Sequence, residues 1–177
     1  MADFSKAYAF LVTKEGSLSD HPADYGGQTY FGIARRFWPN WDGWAFVDTA
    51  QWDLAKACVP GFYKEEYWDT IKGDLINSQL IANRLFEQAV NSNAMMVTKN
   101  LQEICNALAI HDNAVIAEDG KMGPGTMARL NAMSSKQYEI AIEFALRAKY
   151  LTFLLGRAKE DKTQRVFTLG WINREAV

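Results

Sequence analysis

LIANRLFEQAVNSNAMMVTKNLQEICNAL, residues 80–108, is the stretch that decides the architecture. Leu80, Ile81, Leu85 and Ala89 recur at helical spacing, Val97, Leu101, Ile104 and Leu108 do so again, and Asn91 to Asn93 interrupt them. The pattern predicts two amphipathic helices packed against each other across a polar break. Upstream, Phe4, Ala7, Tyr8, Leu11 and Val12 form one apolar stripe of a helix that Gly16 should terminate, which leaves Glu15 at a helix end. From Ser17 to Ile33 the periodicity disappears and Asp20, Pro22, Asp24, Gly26, Gly27 and Gly32 crowd together, a loop with a small hairpin around Gln28 to Phe31.

FWPNWDGWAF, residues 37–46, reads as a surface loop, after which Asp48 or Thr49 should cap a helix running to about Val59, with a further short helix over Gly61 to Ile71. Downstream, Gly120 and Gly123 mark a turn and Pro124 suits a first helical position, where its missing N–H costs nothing. Ser134 or Ser135 should then cap a long helix to Leu155, and a last helix spans roughly Asp161 to Arg174. The expectation is a mainly α fold of seven or eight helices, with no strand pattern beyond the early loop. Any boundary near residue 91 divides a continuous packed body.

Composition narrows the function. The 177 residues are 49% apolar and 13% aromatic with only 4 prolines, which excludes disordered and low-complexity classes. Nineteen basic residues against 21 acidic ones give a net charge of −2, so there is no positive field to gather nucleic acid or anionic lipid. Cys58 and Cys105 form no disulfide framework; they are one bridge or, the favoured reading, two buried thiols. The N-terminal MADFSKAYAFLVTKEG lacks a basic n-region, an uninterrupted apolar stretch and a cleavage site, and it reads as mature protein. The longest apolar candidate is broken by Glu139, Glu143, Arg147 and Lys149, so no membrane insertion is expected.

Chemistry concentrates in EGSLSDHPADYGGQTYFGI, residues 15–33. A carboxylate at the negative end of a helix is placed where the macrodipole disfavours ionisation, and partial burial pushes its pKa the same way. Those are the requirements of a general acid, and Glu15 stands at such a helix end. A loop returning past the helix end would bring Asp24 and Thr29 to it. Two carboxylates and a hydroxyl around a cleft suit glycoside hydrolysis, in which one group protonates the leaving oxygen and another positions water or steadies an oxocarbenium-like centre. The plainer alternative is that Glu15 is a solvated surface residue and the aspartates only cap turns.

These residues resemble a known family. Glu15-Gly16, Asp20, Pro22, Ala23, Asp24, Gly26-Gly27, Thr29 and Gly32-Ile33 are similar to the EGGY...DPxDxGGxTxxGI signature of the glycosyl hydrolase 108 family of N-acetylmuramidases from phages and bacterial secretion systems. The likeness extends to LFEQAVN at 85–91, Leu101-Gln102, DGKMGPGT at 119–126 and GWINR at 170–174. It implies a cofactor-free, lysozyme-like helical bundle with a small loop or hairpin beside the active site. Residues 1–90 would be the catalytic part and 91–177 a peptidoglycan-binding part. It also implies cleavage of the β-1,4 bond between N-acetylmuramic acid and N-acetylglucosamine, with Glu15 as proton donor and Asp24, Thr29 or the equally available Asp20 assisting. Peptidoglycan strands would be the partner, with a holin or secretion machinery for delivery. Ser17 in place of the family's second glycine, Glu87 in place of Asp and Asn93 in place of Gly depart from the pattern and motivate the rival reading, a binding module that holds glycan without cutting it.

Further candidates lie around this motif. Trp38, Trp41 and Trp44, with Phe37 and Phe46, offer flat faces for sugar stacking, whereas Trp52, Trp68 and Trp171 read as core. Glu87 and Asn91 share a helical face that can line a groove, or merely hydrogen-bond at a surface. With Gly27 and Tyr30 of the motif and His21 of the loop, Trp41, Trp44, Glu87 and Asn91 complete the candidate glycan contacts. Two histidines without nearby co-ligands predict no metal site, and Asp112, Glu118 and Asp119 lack the spacing of a calcium loop.

Overall fold

Burial follows the spacing of residues 80–108. In the computed structural model, which describes residues 1–12, 18–19, 27–109 and 115–175, helix α4 (Gln79–Asn91) buries Ile81, Leu85 and Ala89, and α5 (Ala94–Ala107) buries Val97, Leu101 and Ile104. Leu80 faces outward. The polar break between them is a pair of caps. Asn91 ends α4, and the Asn93 Oδ1 accepts the Met96 N–H at 2.8 Å, so the asparagine that departs from the family pattern starts α5. Ser78 caps α4 in the same way, its Oγ accepting Ile81 N–H at 3.2 Å.

Helix α1 (Phe4–Val12) lies on α4 and is fixed at its start by long-range bonds. Ala2 N–H donates to Ile76 O at 2.7 Å and Asp3 N–H to Gln79 Oε1 at 2.8 Å, while Asp3 Oδ1 accepts Ser5 N–H. The Phe4, Trp68 and Phe86 rings meet edge to face with centroids 5.6–5.9 Å apart. Each such pair adds about 1 kcal/mol beyond area burial. Trp68 is fully buried, donates its indole N–H to Asp74 Oδ1, and lies so close to Gly73 that a Cβ there would meet the indole at 2.2 Å.

The turn-rich segment yields a three-stranded antiparallel sheet, β1 (Leu18–Ser19), β2 (Thr29–Tyr30) and β3 (Ile33–Ala34), in that order. Phe31 and Gly32 connect β2 to β3 with φ of 46° and 80°, the left-handed pair of a two-residue hairpin turn. Helix α2 (Gly43–Asp48) begins inside the stretch expected to be a loop, because Trp44 and Val47 turn into the core. The helix expected to start at Asp48 or Thr49 is α3 (Trp52–Tyr63), whose cap is Gln51. Asp48 pairs instead with Arg35 at 2.7 Å, and Thr49 Oγ donates back to Ala45 O at 2.8 Å. Pro60 and Gly61 do not end α3; it passes into a wide turn over Lys64–Trp68, with Asp69 N–H bonded to Lys64 O.

In the second half, α6 (Pro124–Ala132) starts at Pro124, and α7 (Lys136–Glu160) starts under the Ser135 cap and runs five residues beyond the expected end. The expected last helix is a 3₁₀ segment, Lys162–Phe167, followed by α8 (Thr168–Glu175). Gln102, buried in α5, organises the DGKMGPGT turn. Its Nε2 donates to Asp119 Oδ1, Lys121 O and Thr126 Oγ1 at 3.0–3.1 Å, and its Oε1 accepts Gly120 N–H at 2.8 Å. Gly120 has φ +72°, and a Cβ there would meet Met95 O at 2.7 Å. The halves are joined as well: Asn131 accepts Asn77 N–H and donates to Leu75 O, and Ser78 donates to Glu139 on α7. Both cysteines are free thiols. Burial pushes buried Cys105 up to about 11, with Arg129 opposing.

Two consequences can be measured. Gln102→Leu strands the turn's buried polar groups and should lower unfolding free energy by about 2–3 kcal/mol in urea titrations. Gly120→Ala, strained by its φ, should cost about 1–3 kcal/mol. Lys136, then Ser78, hold Glu139 below its ordinary 4.5. A carboxyl lowered on folding stabilises above its unfolded pKa and loses that contribution as pH falls through the folded value. The stability difference between the wild type and Glu139→Gln should therefore shrink progressively below about pH 4.5 in thermal melts.

Candidate active site

Helix α1 delivers the chain toward Glu15, three residues beyond its last residue, Val12. Glu15 itself, and Asp20, His21 and Asp24 in the connection from β1 to β2, lie outside the described residues. What brackets them is defined. Ser19 pairs with Thr29 and Leu18 with Tyr30, so the two ends of the segment that carries both aspartates are held side by side. Thr29 sits half-buried on β2, and its Oγ donates to Gly27 O at 3.1 Å. Gly27 takes φ +67°, a backbone that favours glycine. Of the four residues expected to catalyse, Thr29 is the one among the described residues, on β2.

The glycan contacts separate into two groups. Tyr30 is buried, donates its hydroxyl to Trp52 O at 3.1 Å, and is pushed above its ordinary 10.0 by burial and then by Asp53. It serves here as a neutral hydrogen-bond donor within the fold. Trp44 is likewise in the core, its indole N–H donated to Trp38 O at 2.7 Å and its ring covered by the Arg35 guanidinium at 4.3 Å. Trp52, expected in the core, is 46% exposed because α3 begins there at the surface. Trp68 is core as expected, and the side chain of Trp171 lies outside the described residues.

Glu87 is 1% exposed and takes Arg84 Nη1 at 2.7 Å. Arg84, 2% exposed, also bonds Glu143 on α7 at 3.0–3.1 Å, and Arg147 bonds the same Glu143. Two positive and two negative side chains thus interlock between α4 and α7. Asn91 turns its amide back to Glu87 O at 2.8 Å and is half-buried. Neighbouring Gln88 uses its Nε2 on Leu146 O, leaving its Oε1 unsatisfied among the described residues. Arg84 and Glu143 thus join α4 to α7, while Glu87 pairs within α4 and Arg147 within α7.

Trp41 and Trp38 keep partly open rings. Both pack on Phe62, with centroids 6.1 and 4.9 Å away, and Trp41 stacks over Tyr30 at 6.2 Å. Along one side they border a cleft of about 480 Å³ whose other wall is α3 and the wide turn, with Glu65 and Glu66 at its edge. Sequence reading passed over Glu65 and Glu66. The available signal was their i+3 and i+4 spacing from Phe62, which places all three on one helical side.

The first half of the chain carries the glycosyl hydrolase 108 pattern. The model of that family, described as glycosyl hydrolase 108, matches residues 8–92, which include Glu15 and the whole 15–33 segment. The match supports a glycoside hydrolase. Among solved structures, that of Brucella abortus SagA is similar at 26% identity with a TM-score of 0.73, covering 98% of this chain and 89% of that one. The likeness therefore runs through the second half, beyond the glycosyl hydrolase 108 match. No curated relative matches the sequence. Among the described residues no helix is long and apolar enough to cross a membrane.

The platform yields one prediction. A Cβ on Gly43 would lie 2.2 Å from the Trp41 ring, so Gly43→Ala must displace that indole. We expect a loss of about 1–3 kcal/mol and an altered near-ultraviolet circular dichroism spectrum, with helix content kept.

Proposed function

We propose that this protein is a peptidoglycan hydrolase of the N-acetylmuramidase type, cutting the β-1,4 bond between N-acetylmuramic acid and N-acetylglucosamine. The observation that carries the reading is the glycosyl hydrolase 108 match over residues 8–92, which spans Glu15, Asp20, Asp24 and Thr29 together. In this reading Glu15, just past the negative end of α1, stays protonated long enough to give its proton to the leaving oxygen. Asp24 or Asp20 steadies the positive charge at the anomeric carbon or orients the water, and the Thr29 hydroxyl on β2 helps to hold that water. Residues 1–90 supply the chemistry. Residues 91–177, packed on α4, form the helical part that holds the strand, a division in keeping with the end of the family match at residue 92.

The test is mass spectrometry of soluble products after incubation with purified sacculi. Wild type should release muropeptides with reducing N-acetylmuramic acid ends, and Glu15→Gln should lower kcat by at least about 100-fold while folding normally. Of Asp20→Asn and Asp24→Asn, the variant with the larger fall in kcat identifies the assisting carboxylate. Full activity in Glu15→Gln would remove it as the acid. Sedimentation of both proteins with sacculi and no soluble product would favour the non-catalytic binding module.

A further inference from the structure

The cleft beside the aromatic platform has a character of its own. Phe37, Trp38 and Trp41 wall it on one side, and every charged residue that lines it is acidic: Asp42, Glu65 and Glu66. Among the described residues none of these three carboxylates takes part in a salt bridge, although exposed carboxylates elsewhere do, as Asp48 does with Arg35 and Asp69 with Lys64. Nor is the wall soft. Trp38 and Trp41 are buttressed by Phe62, and Trp41 is seated against the bare Cα of Gly43. A volume of about 480 Å³ admits one or two sugar rings.

We propose that this cleft binds a primary ammonium group carried beside a flat or cyclic apolar surface, and that in the cell wall it selects amine-bearing segments of peptidoglycan. Aromatic faces attract cations through the ring quadrupole, and unpaired carboxylates at the rim complete the complement. A neutral N-acetylated sugar would use the rings and gain nothing from Asp42, Glu65 and Glu66. A free carboxylate, which muramic acid and stem peptides also carry, would be repelled by them. Charge complementarity therefore points to the amine, whose source is either a glucosamine that has lost its acetyl group or the side-chain amine of a stem-peptide diamino acid. The choice of wall polymer rests on the proposed function above; the ligand chemistry rests on the cleft alone.

Isothermal titration of the full-length Glu15→Gln protein tests it without turnover. Three probes are compared: a glucosamine tetramer, an N-acetylglucosamine tetramer, and a short stem peptide ending in a diamino acid with a free side-chain amine. At least one amine-bearing probe should bind, more weakly at higher salt, and Glu65→Gln/Glu66→Gln should weaken it about tenfold. Both positions are exposed, so the pair should fold as the parent does, checked by circular dichroism. Phe37→Ala, at a side chain 58% exposed, should weaken the same probe through the lost ring. Which amine probe responds identifies the source. If the acetylated tetramer binds as tightly as the amines and the charge variant alters neither, or if no probe binds, the proposal is overturned. Product release from sacculi is read separately, so a failed titration leaves the hydrolase reading standing, and failed hydrolysis leaves the cleft assignment standing.

Discussion

Arg84 carries a full positive charge into the middle of the molecule, and the rest of the structure is arranged around making that possible. Removing such an ion from water costs several kcal/mol unless its partners are close and correctly aimed. Glu87 from its own helix and Glu143 from α7 supply them, and Arg147 balances the second carboxylate. A one-residue slide of α7 along α4 would break the Arg84–Glu143 pair that joins the two helices. The network therefore acts as a register pin, and since α4 also carries α1, it fixes the helix that leads to Glu15 relative to the long helix of the second half.

A second line of force runs through rings. Phe4 and Phe86 touch Trp68, Tyr8 and Phe86 touch Tyr63, and Tyr63 adjoins Phe62, on which Trp38 and Trp41 rest. Tyr63 then donates its hydroxyl to Phe31 O at 2.8 Å, at the left-handed turn between β2 and β3. The small sheet beside the 20–26 segment is too short to be stable alone. It is held by this aromatic seam, so the geometry next to the candidate catalytic residues is inherited from the helical core.

Where apolar periodicity was strong, the sequence was legible. The α4 and α5 stripes, the α1 stripe, Pro124 at the start of α6 and the Ser135 cap all appear where side-chain spacing and cap chemistry place them. Residues 37–68 were harder to read. Trp44 and Tyr30 sit inside because tertiary packing used their rings and their polar tips at once, which no local pattern announces. Asp48 was drawn from helix capping by Arg35, a partner thirteen residues away. Glu87 read as a groove candidate because it shares a helical face with Asn91; Arg84, three residues earlier on the same helix, takes its carboxylate, and Glu143, which joins Arg84 from α7, lies fifty-nine residues away. The motif at 15–33 falls inside the family match, and Thr29 has a seat on β2, while Glu15, Asp20, His21 and Asp24 lie outside the described residues.

The bonds from Ala2 to Ile76 and from Asp3 to Gln79 also bear on the order of events during synthesis. Helix α1 is made before its supports: a nine-residue helix is marginal alone, and the groups that hold it, Ile76, Gln79 and Phe86, are made more than seventy residues later. Helix α1 must wait for residues 76–86. A nascent fragment stopped short of α4 would carry α1 without Ile76, Gln79 and Phe86, the groups that hold its start, so this helix is seated only after α4 has been translated.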